Sequence, residues 1–170
     1  MKQMKFPAEL SQAQYERLFA PWLKRAWGRR VLSIANLVCA AIFYVAYPVC
    51  IILLWRANDV RLTKALLIPA ISFVLLSVIR RLINRPRPYE TLGFTPILQK
   101  EAKGESFPSR HIFSAFMIAA TIAYLTSWGY LFFIPAMLLA TIRVIGGVHY
   151  PSDVTAGVVF AGIAALFYLL

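Results

Sequence analysis

Acidic residues are scarce in this chain of 170 residues: 7 Asp+Glu stand against 18 Lys+Arg, a formal net charge of +11. Charge of either sign is thin, at 15% of the chain, while hydrophobic residues reach 60%. A typical soluble domain is about 45–50% apolar and about 25% charged, so an ordinary water-soluble globule is excluded. Disorder is excluded too, because disordered chains lack large apolar and aromatic residues. Cysteine is limited to Cys39 and Cys50, which share one apolar run. They cannot build a disulfide framework, and on one helix they lie too far apart to bridge; they read as small residues packed between helices. Histidine is limited to His111 and His149. With only a few scattered carboxylates beside them, they fall short of the three protein ligands of a catalytic zinc, so no metal site is expected. No short apolar core with a small-residue cleavage site lies near Met1, so no cleavable signal is expected.

What the chain has is long uncharged apolar sequence. Val31–Leu54 carries no charge and is long enough, at 1.5 Å per residue, to cross a hydrocarbon core of about 30 Å. A second span runs over Leu62–Ile83. The charge-free stretch Ile112–Ile142 is too long for one crossing, and Thr126–Tyr130 offers a turn that divides it in two. A last span runs from Ser152 to Leu170. Small residues recur every four positions at Ala115, Ala119, Ala123 and at Gly157, Ala161, Ala165, which lets helices approach closely in lipid. The expected fold is an all-α integral membrane helical bundle of about five transmembrane helices. The basic segment Met1–Arg30 precedes the transmembrane domain Val31–Leu170. In it Tyr15, Leu18, Phe19, Trp22, Leu23 and Trp27 follow the helical rhythm, which predicts an amphipathic interfacial helix, broken or kinked at Pro21.

Counting crossings places the end of span two, the start of span three, the end of span four and the start of span five on one side of the membrane. Three polar clusters sit at those ends: Arg80–Pro88, Pro108–His111 and Arg143–Asp153. Both histidines therefore share one face with several arginines and an aspartate. Converging arginines bind phosphate through forked, charge-assisted hydrogen bonds. The helix start at Ser109–His111 adds backbone N–H donors. A carboxylate behind an imidazole fixes its tautomer and frees the other nitrogen to attack; His149 and Asp153, four apart across Pro151, permit that contact. A second histidine can protonate the leaving oxygen. Arg81 and Arg85 read as headgroup or interface anchors, and Tyr89–Phe107 as the mouth of the site.

At these residues the chain resembles the type 2 phosphatidic acid phosphatase superfamily, which also contains the vanadium-dependent haloperoxidases. Its signature is Lys-x6-Arg-Pro, Pro-Ser-Gly-His and Ser-Arg-x5-His-x3-Asp. Here Arg80 with Arg87-Pro88 forms the first part, Pro108-Ser109-Arg110-His111 the second, and Ile142-Arg143 with His149 and Asp153 the third. Arg80, Arg110 and Ile142 depart from the family residues. The resemblance implies that His149 is a nucleophile forming a phosphohistidine, oriented by Asp153, and that His111 is the general acid. It implies that Arg80, Arg87, Ser109, Arg143 and the Arg110 backbone hold the phosphate oxygens, and that no metal or cofactor takes part. The expected function is an integral-membrane lipid phosphatase acting on phosphatidic acid, phosphatidylglycerol phosphate, a polyprenyl diphosphate or a lipid A phosphate. A lipid phosphotransferase and a non-catalytic binder of anionic lipid are the alternatives. Membrane lipids are expected partners and nucleic acid is not. Only Arg56, Arg61 and Lys64 of the 18 Lys+Arg fall on the far side, so the positive-inside rule puts the site on the cytoplasmic face, in a bacterial cytoplasmic membrane.

Overall fold

The computed structural model describes residues 10–25, 27–99 and 103–170, and every described element is a helix, turn or loop. Lys2, Lys5, Glu9, Lys100 and Glu101, read above as parts of the basic tail and the site mouth, lie outside the described residues. Among the described residues seven α-helices follow in order: α1 (Gln12–Leu23), α2 (Gly28–Arg56), α3 (Leu62–Ile83), α4 (Pro88–Leu92), α5 (Arg110–Leu125), α6 (Phe133–Ile145) and α7 (Pro151–Ala165). Short 3-10 segments, Ser127–Phe132 and Leu166–Tyr168, lead into α6 and finish α7. Helices are the only open-ended solution in lipid, because each satisfies its own backbone polar groups.

Among the described residues, four apolar stretches are long enough to cross a membrane: Gly28–Arg56, Leu62–Leu92, Ser127–Ile145 and Pro151–Tyr168. The remaining expected span, α5, is apolar but only 16 residues long. It occupies the middle of the bundle, packed against α2, α3, α6 and α7. Its small-residue face meets that of α7: Ala115, Ala119 and Ala161 are buried, and a Cβ on Gly157 would lie 2.8 Å from the Ser109 carbonyl oxygen. The outward faces of α2 and α3 remain apolar and bare, with Leu37 at 67% and Leu82 at 71% exposure, as lipid-facing surfaces require.

The connections at the polar end have local causes. α3 stops at Asn84, whose left-handed φ of 43° lets the chain turn out of the helix. Pro86 and Pro88 then disfavour helix at the preceding arginines, and α4 restarts with Pro88 at its first turn and Glu90 accepting the Arg87 N–H at 2.7 Å. At the opposite end Arg61 pairs with Asp59 at 2.7 Å and donates to the Leu125 carbonyl at 3.1 Å, closing the C-terminus of α5.

α1 begins at a capping box, with Ser11 Oγ accepting from the Gln14 N–H and the Gln14 side chain accepting from the Ser11 N–H. Pro21 neither breaks nor stops it. The helix continues through Pro21 to Leu23, since a proline in the final turn forfeits only one internal hydrogen bond. Trp27 is exposed, but Tyr15 and Phe19 are buried against the loops at the polar end of the bundle, so that part of the apolar face is covered by protein.

Candidate active site

The loop 146–150 between α6 and α7 carries His149, which is 1% exposed. Its Nδ1 lies 3.4 Å from Asp153 Oδ2 and 3.4 Å from Ser106 Oγ. Asp153 sits in the first turn of α7, where Oδ2 accepts the Tyr150 N–H at 2.9 Å and the Ser106 hydroxyl at 2.5 Å. Its other oxygen, Oδ1, accepts from Arg85 Nη1 at 2.7 Å. Arg85 also donates to Ser152 Oγ at 2.8 Å and lies over the Tyr150 ring at 4.2 Å from its centroid. The reading of Arg85 as a headgroup anchor is therefore corrected. It is 3% exposed and held inside by a buried carboxylate, a partner that sequence distance hides. Arg81 is exposed, as an interface residue would be.

The expected phosphate-handling residues divide into two groups. Arg80, Arg87, Ser109 and Arg143 are all buried. Arg80 donates to the Pro108 carbonyl, and Arg87 donates to the carbonyls of Gly104 and Val148, both at 3.2 Å. Ser109 gives its N–H to the Asp153 carbonyl at 2.9 Å, while its buried Oγ has no hydrogen-bond partner among the described residues. Arg143 Nη2 lies 3.3 Å from His111 Nδ1. A guanidinium only donates, so this contact fixes His111 Nδ1 as an acceptor and its proton on Nε2. Arg110 stands apart. Its backbone is helical and its exposed side chain turns toward α3, with the guanidinium 5.9 Å from the centroid of the Phe73 ring.

Burial dominates the charge state of His149. Desolvation first, and then Arg143 and Arg87, lower its pKa from 6.5 to about 4, against an opposing pull from Asp153. The imidazole is thus neutral at physiological pH. With Nδ1 turned to the carboxylate, its lone pair stands on Nε2. No group of three or more His, Cys, Asp or Glu side chains suited to a metal ion occurs among the described residues. Beside His111, a cavity of about 400 Å³ opens between α2, α3, α5 and α6, lined by Phe43, Tyr44, Tyr47, Phe73, Arg110 and Ser114 among others. A second, of about 270 Å³, shares Tyr47, Phe73 and Ser114 with it and runs along α3 past Leu66 and Pro69.

Neither Ser106 nor Tyr15 was singled out by the sequence beyond falling in the segment read as the site mouth and in the amphipathic face, respectively. Ser106 lies outside the three motifs, and Tyr15 was one apolar position in a periodic face; their contacts with Asp153 and with the His149 carbonyl are made across 47 and 134 residues.

Apolar helices that gather arginine, histidine and aspartate at one end define an integral membrane helical bundle with a buried polar cluster. The chain belongs to the PAP2 superfamily, whose sequence profile matches residues 61–170, bearing out the resemblance carried by the three motifs. It is 38% identical over 97 residues to the lipid A 1-phosphatase of Rhizobium etli, which covers 54% of this chain and 41% of that protein. The chain thus spans less than half the length of that curated relative. The crystal structure of Aquifex aeolicus LpxE superposes with a TM-score of 0.74 at 23% identity, covering 96% of each chain. A PAP2-type phosphatidylglycerolphosphate phosphatase from Bacillus subtilis gives a TM-score of 0.66 at 24% identity, over 93% of this chain and 84% of that one. These two establish a shared fold.

Proposed function

We propose that this protein is a lipid phosphatase that cleaves a phosphomonoester or diphosphate on a membrane lipid through a phosphohistidine at His149. The observation that carries this reading is the buried His149 itself, neutral, with Asp153 on one ring nitrogen and Arg87 and Arg143, from two separate segments, close enough to act on its charge. Phosphomonoester hydrolysis has one of the highest uncatalysed barriers known, so fixed positive charge at the phosphoryl oxygens is the main demand on a catalyst. Arg80, Arg87 and Arg143, with the Ser109 hydroxyl and the N-terminus of α5, meet that demand.

In the first step His149 Nε2 forms a bond to phosphorus and the bond to the lipid oxygen breaks. His111 protonates that oxygen. To finish as a neutral ring it must start as the imidazolium, which its contact with Arg143 at Nδ1 does not allow. Substrate binding therefore has to draw the Arg143 guanidinium onto a phosphate oxygen and free His111 Nδ1 for a proton. In the second step water attacks the phosphorus, His111 takes the proton from that water, and the His149–phosphorus bond breaks to release inorganic phosphate. Asp153 stabilises the positive charge on the His149 ring between the steps. The apolar cavity beside His111 supports a lipid as the carrier of the phosphate.

The test is release of inorganic phosphate by the purified protein from a panel of lipid phosphates in mixed micelles, with and without a chelator. Turnover is expected in both, and loss in His149→Ala. Activity that vanishes with the chelator overturns the metal-free route. Transfer of phosphate to a second lipid without release identifies a transferase, and wild-type protein that binds lipid phosphate without any turnover, with binding little changed in His149→Ala, identifies a binder.

A further inference from the structure

We propose that α1 is a strap across the His149 loop and that Tyr15 is a positioning residue for the nucleophile, acting through its hydrogen bond to the His149 carbonyl. This rests on the assignment of His149 as nucleophile. The loop 146–150 has no helical ladder, so its carbonyls need donors from elsewhere. Gly146 O accepts the N–H groups of Ile97 and Leu98 at 3.0 and 3.2 Å, and Val148 O accepts from Arg87 Nη1 at 3.2 Å. His149 O accepts from Tyr15 Oη at 3.1 Å. Among these anchors, Tyr15 alone takes the nucleophile's own carbonyl, while the N–H of the same peptide unit, that of Tyr150, donates to Asp153 Oδ2 at 2.9 Å.

Tyr15 is suited to this. It is fully buried, and burial, followed by the nearby Tyr150 and Asp153, pushes its phenol pKa well up, so the hydroxyl stays a donor. Its ring packs against Phe94 and Phe19 with centroids 5.2 and 5.9 Å apart. Phe19 completes the grip. Gly147 takes a left-handed φ of 76° beneath it, and an added Cβ there would lie 2.7 Å from the Phe19 ring. α1 thus clamps the loop twice, with a ring on Gly147 and a hydroxyl on His149. It lies outside residues 61–170, the part that matches the superfamily, so the machinery there is completed by a separate element. With the hydroxyl gone, the peptide that aims the imidazole keeps the bond from its N–H to Asp153 but loses the donor on its carbonyl, so the loop loosens and water gains access to the ring. Asp153, Ser106, Arg85, Arg87 and Arg143 remain around it.

Tyr15→Phe tests this in the full chain, because it keeps the ring and removes only the donor. With two histidines in the protein, labelling of histidine nitrogen gives two imidazole signals by NMR, and His111→Asn assigns them. In Tyr15→Phe the His149 titration is expected to move up toward 6.5, and kcat to fall roughly ten- to hundredfold with KM within about twofold, the penalty of a small misplacement of a reacting group. A His149 titration and kcat identical to wild type overturn the strap, as does a loss of kcat that only tracks a lower melting temperature. The titration needs no turnover, so a wild-type protein that releases no phosphate counts against the phosphatase reading alone. If Tyr15→Phe does not fold, hydrogen exchange of the wild type decides: protection of residues 146–150 comparable to α6 is expected, and exchange at open-loop rates refutes the strap.

Discussion

Replacing Arg85 with methionine keeps most of the side-chain volume and deletes the guanidinium that meets Asp153. The two charges are 2.7 Å apart, with side chains 2% and 0% exposed, so the carboxylate left behind is buried without its ion-pair partner. Breaking one side of a buried pair costs about 3–5 kcal/mol, a large part of a total stability of about 5–15 kcal/mol. For a chain of this size each kcal/mol moves the melting temperature by about 2–4 °C, so Arg85→Met is expected to lower it by roughly 6–20 °C. Asp153→Asn in the same background removes the stranded charge, and the amide oxygen can still accept the Tyr150 N–H. The double variant is therefore expected to recover part of the loss in stability while hydrolysing lipid phosphate far more slowly than wild type, since the His149 ring has lost its carboxylate. Thermal unfolding in detergent, read by tryptophan fluorescence, measures the first quantity, and phosphate release the second. A melting temperature for Arg85→Met within about 2 °C of wild type would falsify the buried-pair account.

The remaining predictions concern the same pocket and its setting. Because the folded pKa of His149, about 4, lies below its ordinary 6.5, the acid limb of kcat/KM is expected near the lower value; a limb at 6.5 refutes the desolvated ring. By the same linkage the unfolded chain takes the proton first, so stability falls as pH drops from 6.5 toward about 4 and this contribution is flat above; denaturant titrations across that window check it. Ser106→Ala removes a 2.5 Å hydrogen bond to Asp153 Oδ2, and a loss of about 1.5–3 kcal/mol in stability is expected, with kcat lowered more than KM is raised. Gly157→Ala places a Cβ 2.8 Å from the Ser109 carbonyl, so α5 and α7 must separate; a lower melting temperature and weaker phosphate inhibition are expected, and a variant matching wild type in both contradicts the close approach. Single cysteines at Arg81 and at Val60, probed in whole cells with a membrane-impermeant thiol reagent, are expected to label at Val60 only if the site faces the cytoplasm.

The helices could be read because they report on themselves. An uncharged run such as Val31–Leu54 has one stable solution in lipid, and the small-residue spacing at Ala115, Ala119 and Ala161 marks faces suited to close approach, although only the structure shows that the α5 face meets the α7 face. The convergence of His111, Arg143, His149 and Asp153 followed from counting crossings, since each lies at a span end. What escaped was whatever depended on side-chain direction. Arg81 and Arg85 are both basic residues just past an apolar run, yet one faces out and the other reaches a carboxylate 68 residues away. Arg110 stands beside His111 in sequence, but consecutive positions on a helix point about 100° apart, and its guanidinium leaves the cluster for Phe73. Tyr15 looked like one more greasy position in an amphipathic stripe, because periodicity records that a face is apolar and says nothing about what covers it.

The brevity of α5 has a consequence for how an amphiphile meets the chemistry. Sixteen residues extend about 24 Å, against a hydrocarbon layer of about 30 Å. Were its far end level with one boundary of that layer, its first turn, and His111 with it, would end about 6 Å below the other boundary. A bond at the neck of a bilayer molecule then arrives by sideways diffusion, with its hydrocarbon still immersed. Pulling even four methylenes into water would add about 3 kcal/mol, at ~0.8 kcal/mol each, to every encounter. On the proposed function, a short central helix spares the reaction that ascent.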